Sequence, residues 1–274
     1  MNGKIIKSNL TTLRQLLKFA TIALISMSAS AAWAGKTPPP PSWNPEYQGS
    51  ILIVSDSSAK MSSQRLEQFA KNSLASLNHA LKTSEVNIKF TLAGIKVYPD
   101  KRFNSFDEYY RDDDIYFLKR NTGADIVYIV AELDLAKNKR CGLANVTNIN
   151  LGAYAAGRPE IVDINTVLFA AGVAGGFTPC TTRTFNHEIG HTLGLNHSSE
   201  EAEADYGKRK KYAAGFYKYN FSTLMSVKGY IQNKRNRFSN PNQKCGSSKC
   251  GNTETADAVR YMNERIPSRF YKKQ

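Results

Sequence analysis

His187-Glu188-Ile189-Gly190-His191-Thr192-Leu193-Gly194-Leu195-Asn196-His197 is the stretch whose spacing decides the fold. His187 and His191 are four apart, so on a helix they stand one turn above each other and can offer two imidazoles to one metal ion. Gly194 follows three residues after His191, where a helix that must end can turn left-handed without a side-chain penalty. The reversed chain then returns His197 as a third nitrogen ligand, and three protein ligands leave a fourth zinc position open for water. Phe185, Ile189 and Leu193 recur every four residues, each two positions from a ligand and so roughly 200° around the helix. That apolar stripe is expected to face the core, with the histidines on the opposite side. Glu188 adjoins the first ligand too closely along the backbone to share its metal easily, and it is the candidate general base. A bare HExxH is short enough to arise by chance, but three of the chain's four histidines fall in this one pattern, with the glycine where the geometry needs it. The fourth, His79, reads as an ordinary histidine of another helix.

At these residues the chain resembles the metzincin clan of zinc endopeptidases, whose signature HExxHxxGxxH is followed by a methionine turn. Thr223-Leu224-Met225-Ser226 supplies the methionine. Arg237-Phe238-Ser239-Asn240-Pro241 is similar to the segment after that turn in reprolysin-like and bacterial peptidyl-Asp-type metallopeptidases. Gly123-Ala124-Asp125-Ile126-Val127, Cys141-Gly142-Leu143-Ala144 and Ala256-Asp257-Ala258-Val259 extend the resemblance over most of the later chain.

The resemblance implies an α+β fold. A metzincin-like upper lobe of twisted mixed sheet and helices ends in the zinc helix, above a smaller irregular lower lobe with a C-terminal helix, and the cleft lies between. It implies one catalytic Zn2+ held by His187, His191 and His197, with Met225 as a hydrophobic floor and not a ligand. Val227 stands where astacins and serralysins carry a tyrosine, so that extra ligand is not expected. Cys141 to Val146 becomes the candidate sheet edge, on which Gly142, Leu143 and Ala144 would pair with substrate as an added antiparallel strand. In such a site zinc lowers the pKa of its water to near 7 and polarises the scissile carbonyl, while Glu188 takes the water's proton and hands it to the departing amine.

Residues 1–34 read as a secretory signal peptide. Lys4, Lys7, Arg14 and Lys18 precede the apolar run Phe19 to Met27, and Ala32-Trp33-Ala34 is an A-x-A cleavage site. The run is well below the ~20 residues needed to span a bilayer. Export is therefore expected, to the extracellular space or to the periplasm of a Gram-negative bacterium, with no stable membrane anchor after cleavage. Residues 35–49, carrying Pro38 to Pro41 and Pro45, form an extended linker, and residues 50–274 one catalytic domain. The leader's four cations, with no acids, leave +10 of the formal net charge of +14. A basic mature protein attracts acidic protein or anionic polymer, but no interleaved aromatic and basic module points to nucleic acid.

The four cysteines, Cys141, Cys180, Cys245 and Cys250, lie beyond the leader, an even number in an exported chain, so disulfides are expected. Three connectivities exist; Cys245 with Cys250 and Cys141 with Cys180 is the favoured one. No CxxC pair supports a cysteine zinc site.

Along the mature chain, Ile51 to Val54 reads as a buried strand, Ser63 to Lys82 as an amphipathic helix, Val86 to Tyr98 as a strand, and Ile126 to Ala131 as the clearest buried strand. Asp107 to Asp114 reads as an acidic, tyrosine-rich connector. Its Asp112-Asp113-Asp114 run lacks the alternating spacing of a calcium loop, so a structural Ca2+ finds no support there. After His197 periodicity is lost until a closing helix from Thr253 to Arg265.

Three basic clusters fall where a cleft is expected: Lys137, Lys139 and Arg140; Lys208 to Lys211; and Lys228, Lys234, Arg235 and Arg237. Such charge runs are usually solvated surface, but positive charge lining a cleft focuses anionic ligands, and with the resemblance to peptidyl-Asp-type enzymes pointing the same way, a protein or peptide substrate with Asp or Glu beside the scissile bond is expected, the last cluster supplying the pairing charge. The contrasting function is a basic envelope-binding or zinc-holding module with little proteolysis, against which the intact Glu188 argues.

Overall fold

The computed structural model describes residues 43–103, 106–131, 164–165, 182–204, 210–228 and 233–272. The leader, Cys141, Cys180 and the expected edge strand with Gly142, Leu143 and Ala144 lie outside the described residues.

Apolar runs too continuous for alternation build the sheet. β1 (Tyr47–Ser55) pairs in parallel with β2 (Ile88–Val97) on one side and β3 (Ile126–Val130) on the other. The two-residue β4 (Ile164–Asn165) continues the sheet in parallel beyond β3. Ile51, Ile53, Ile126, Tyr128 and Val130 belong to the main core on one face, and Leu52, Val54, Val127 and Ile129 to a second core on the other. Burial on both faces is the reason these strands carry no polar alternation. β1 opens at Tyr47, so the fold reaches into the stretch read as linker, and Trp43 Nε1 already donates to the Val86 carbonyl at 3.4 Å.

Helix α1 (Ser63–Ser84) carries the chain from β1 to β2. The Ser62 hydroxyl caps its start by accepting from the Arg65 N–H. Leu66, Ala70, Leu74, Leu77 and Leu81 fill the main core, and His79 faces outward, as expected of an ordinary histidine. The acidic connector is a correction. It folds as α2 (Phe106–Arg111) and α3 (Asp113–Thr122) against the second core, where Tyr109 and Ile115 are buried. Asp112 caps α3 by accepting from the Ile115 N–H at 3.0 Å, and Asp113 and Asp114 sit in its first turn. Carboxylates favour a helix N-terminus, so the acidic run marks a helix start and not a solvated turn. Lys101 Nζ lies 2.6 Å from carboxylate oxygens of both Asp112 and Asp114.

Helix α4 (Thr182–Thr192), the expected zinc helix, packs beside α1 on the main-core face. Phe185, Ile189 and Leu193 are buried, and the Phe185 ring lies 4.3 Å from that of Tyr128. Beyond it come α5 (Ser199–Ala204) and two small hairpins, β5 (Tyr217–Lys218) with β6 (Phe221–Ser222), and β7 (Asn240–Cys245) with β8 (Ser248–Cys250). The stretch after His197 is therefore not wholly without regular structure. The Cys245–Cys250 disulfide closes the second hairpin. Helix α6 (Ala258–Arg265) starts later than expected because Thr253 to Ala256 is spent on a turn, and Asp257 caps it through the Arg260 N–H. A last strand, β9 (Tyr271–Lys272), pairs antiparallel with the start of β1. Among the described residues no helix is long and apolar enough to cross a membrane.

Candidate metal centre

Two loops and one helix end build the site. Helix α4 stops where a left-handed residue is required. Gly194 has φ 95°, the Leu195 N–H donates to the Gly190 carbonyl at 3.0 Å, and the Gly194 N–H to the His191 carbonyl at 2.8 Å. This paired i−5 and i−3 closure satisfies helix-end carbonyls and reverses the chain. A Cβ at Gly194 would also lie 2.9 Å from the Tyr261 ring. The Asn196 N–H then bonds to the Ala213 carbonyl at 2.9 Å, which fixes the backbone just before His197.

The three expected ligands come together. The Nε2 atoms of His187, His191 and His197 lie 3.0–3.1 Å from one another. His187 Nδ1 is 2.8 Å from the Leu224 carbonyl, His191 Nδ1 2.7 Å from the Leu195 carbonyl, and His197 Nδ1 3.1 Å from Glu201 Oε2. Carbonyl and carboxylate oxygens only accept, so each Nδ1 carries the ring proton and each Nε2 presents a bare lone pair. Three bare nitrogens that close cannot bond to one another, and a cation among them satisfies all three. Nitrogens held at ~2.0–2.1 Å from one zinc ion come to about this separation, so the residues fit the group. Burial drives His187 down to about 4, with the positive charges of Lys234 and Arg183 acting in the same direction, which keeps the ring neutral as a ligand must be.

Glu188 is 5 % exposed, and burial pushes its carboxyl up to about 8. Met225 lies directly beneath the helix. A Cβ on Gly190 would collide with Met225 Sδ and come within 3.0 Å of the Phe238 ring. Gly190 is therefore the residue that lets the methionine turn approach, a role the sequence pattern leaves unassigned. The segment from Arg237 to Pro241 docks on the end of α1, with the Phe238 N–H donating to Ser84 Oγ at 2.8 Å. Asn186 Nδ2 donates to Ser76 Oγ and Asn236 Oδ1, tying α4 to α1 and to the chain after the methionine turn.

Glu201 is the functional residue that sequence reading missed. Its Oε2 accepts from the His197 and Ser198 N–H groups at 3.0 and 3.3 Å as well as facing His197 Nδ1, while Ser198 Oγ accepts from the Glu201 N–H. This is a capping box, legible as Ser198-x-x-Glu201, whose carboxylate also orients the third imidazole. Of the basic clusters, Lys137, Lys139, Arg140, Lys208 and Arg209 lie outside the described residues. Lys211 pairs with Glu203 at 3.1 Å, Lys228 and Arg235 are exposed, and Lys234 is half-buried.

With this geometry in view, the comparisons agree with it. Residues 69–198 match the model of the reprolysin-like metallo-peptidase family M12B, and residues 162–265 match that of peptidase M66. Fold and site together place the chain in the metzincin-like zinc metallopeptidases. More particularly, it is 30% identical over 209 residues to the peptidyl-Asp metalloendopeptidase of Pseudomonas aeruginosa, an alignment covering 68% of this chain and 33% of that protein. The chain thus spans about a third of that relative's length. A chain in the solved structure of a chaperone–substrate complex shares the fold, with TM-score 0.61 at 18% identity over 82% of this chain and 35% of the other. Metalloproteinase-II from Bacteroides fragilis matches with TM-score 0.36 and 16% identity over 60% of this chain and 47% of its own.

Proposed function

We propose that the protein is a zinc-dependent endopeptidase that hydrolyses peptide bonds with Glu188 as general base. The observation that carries this is the convergence of three unprotonated Nε2 atoms, two of them on the helix that also carries the buried Glu188. His187, His191 and His197 would hold the metal, and Leu224, Leu195 and Glu201 fix their tautomers and ring planes. Bound there, zinc supplies Lewis acidity toward the scissile carbonyl and acidifies water. Glu188 holds the attacking water, takes its proton and returns it to the leaving amine, so one carboxylate acts as base and then as acid. Its partly desolvated surroundings raise its basicity, which suits a group that must accept a proton near neutral pH. Met225 supports the helix from below without contributing a donor.

The reading extends to export. Residues 1–34 act as a leader, the stretch ahead of Trp43 as a linker and the remainder as the catalytic domain, secreted or periplasmic. Substrates are proteins or peptides, with a preference for acidic residues near the scissile bond. The strongly basic composition supports that preference, as does the name of the Pseudomonas aeruginosa relative.

Glu188→Gln tests the mechanism, because it keeps size and hydrogen bonding but removes the base. Zinc content should stay near one per chain while kcat falls by roughly 10²–10⁴-fold. Wild-type turnover in that variant would sink the mechanism, and retained activity after exhaustive removal of zinc would sink the metal's part in it.

A further inference from the structure

Asn186 is a polar residue in an apolar position. It stands on α4 between the core residue Phe185 and the ligand His187, three residues from Ile189, and is fully buried. Its Nδ2 donates to Ser76 Oγ at 2.9 Å and to Asn236 Oδ1 at 2.8 Å. Asn236 Nδ2 in turn donates to the Ser76 carbonyl at 3.4 Å and to Ser76 Oγ at 3.2 Å. A carbonyl only accepts, so Asn236 turns its NH2 toward α1 and its oxygen toward α4, and Asn186 meets that oxygen with its own NH2. Asn186 Oδ1 is then left buried without a donor. An unsatisfied buried oxygen costs stability, so this amide is a poor choice for packing two helices and needs another reason.

The reason lies in where Asn236 sits. The Arg235 N–H donates to the Ser222 carbonyl at 2.7 Å and the Leu224 N–H to the Arg237 carbonyl at 2.8 Å, so Asn236 lies between the two bonds that join residues 235–237 to residues 222–224. The Leu224 carbonyl accepts from His187 Nδ1–H at 2.8 Å, and His187 follows Asn186 in the chain. These contacts close a ring. It runs from the Asn186 amide to Asn236, across the two backbone bonds to Leu224, through that carbonyl to the His187 imidazole, and back along one peptide unit to Asn186. The Leu224 carbonyl is thereby held from both sides, and with it the plane of the imidazole that it orients.

We infer that Asn186 is a positioning residue for the metal centre: through Asn236 it fixes the Leu224 carbonyl, and through that carbonyl the tautomer and tilt of His187. The inference rests on the metal reading above and not on hydrolysis. Ser76 touches both amides but is not a link in the ring, so its hydroxyl can be removed with the ring intact.

The test measures zinc affinity by competition with a chelator, and the urea midpoint of metal-free protein, for wild type, Asn186→Leu, Asn236→Ala, the double variant and Ser76→Ala. Leucine has asparagine's branching and no unsatisfied oxygen, so Asn186→Leu should keep or raise the metal-free midpoint. The same variant should bind zinc roughly three- to tenfold more weakly, a size usual for residues that act on a site through others. Asn236→Ala should weaken zinc by a like factor, and the double variant by no more than either single one, because one ring is broken once. Asn236 is half-buried, so Asn236→Ala decides the matter if Asn186→Leu does not fold. Ser76→Ala should lower the midpoint and leave zinc affinity unchanged. A readout without metal is the Nδ1–H proton of His187 in metal-free protein, whose exchange with solvent should be slow in wild type and Ser76→Ala and faster in the other variants. Wild-type zinc affinity in Asn186→Leu overturns the inference. So does a loss of affinity that merely follows the loss of stability across all the variants, Ser76→Ala included. If wild type binds no zinc, the metal reading fails; faster exchange at His187 in Asn186→Leu then keeps the ring, and unchanged exchange removes it.

Discussion

Glu188 and Glu201 are two carboxylates at one centre whose surroundings give them different work. Glu201 is 51 % exposed at its side chain, with its Oε2 3.1 Å from His197 Nδ1. Removing that charge while keeping the acceptor, as in Glu201→Gln, should weaken zinc binding by roughly tenfold, the lower end of what loss of an outer partner costs. Competition with a chelator of known affinity measures it, and an unchanged zinc Kd would reduce Glu201 to a helix cap. Glu188 is buried, and in the metal-free protein that burial pushes its carboxyl up to about 8 from the usual 4.5. A folded-state pKa above the unfolded one means that the folded chain binds more protons between those values, so stability falls as pH rises through that window. His187 works in the opposite sense. Its ring, lowered from 6.5 to about 4, costs stability as pH falls through that range. Above pH 6.5 only the Glu188 effect remains of the two. Metal-free wild type should thus lose roughly 1–2 kcal/mol between pH 6.5 and 8, at about 1.4 kcal/mol per pKa unit of linkage. Urea denaturation of metal-free wild type and Glu188→Gln at both values gives the comparison. Equal slopes for the two proteins would show that the carboxyl is ionised throughout.

The helix α4 and its end are the elements on which the site depends, and Gly194 is where they are most exposed to substitution. Alanine there must adopt φ 95° and bring a Cβ against the Tyr261 ring. The strained backbone alone costs on the order of 1–3 kcal/mol. Gly194→Ala should therefore lower the denaturation midpoint and move His197 away from the other two imidazoles, weakening zinc binding along with stability. A variant of normal zinc affinity would mean that His197 is positioned from the Ala213 and Glu201 side alone. This turn was legible because its signals are local: four-residue spacing for His187 and His191, a glycine three residues later, and an apolar stripe at Phe185, Ile189 and Leu193. Asp112 shows the opposite outcome. Its run of acids was read as charge, although an Asx residue ahead of an apolar position is also a helix cap, and the cap reading was the physical one. The Ser198-x-x-Glu201 box was equally readable and equally local. Gly190 was not, since its reason lies on a segment far along the chain, at Met225.

At the scale of the whole molecule, the metal ligands and their supports are divided unevenly. All three ligands come from residues 187–197, but the groups that hold them reach from Gly190 across to Leu224 and Met225 and forward to Glu201. Among the described residues, the parallel strands β1 to β3 meet α4 through packing, with Tyr128 against Phe185. A ligand stabilises what it binds by mass action, and the benefit falls on the openings that break its site. Zinc should therefore slow amide exchange at the end of α4, in the Gly194 turn, in α5 and around residues 222–226. The amides of Ile51 to Val54 and Ile126 to Val130 should change little, since they exchange only when the sheet itself opens. The measurement is hydrogen exchange of metal-free and zinc-loaded protein at one pH. The divided arrangement predicts a patch of new protection confined to those segments, with full activity returning as the patch returns. Equal slowing across β1, β3 and the site would show instead that the centre and the sheet open as one unit. The metal would then be part of what holds the main core together, and the uneven division of supports would carry no consequence for stability.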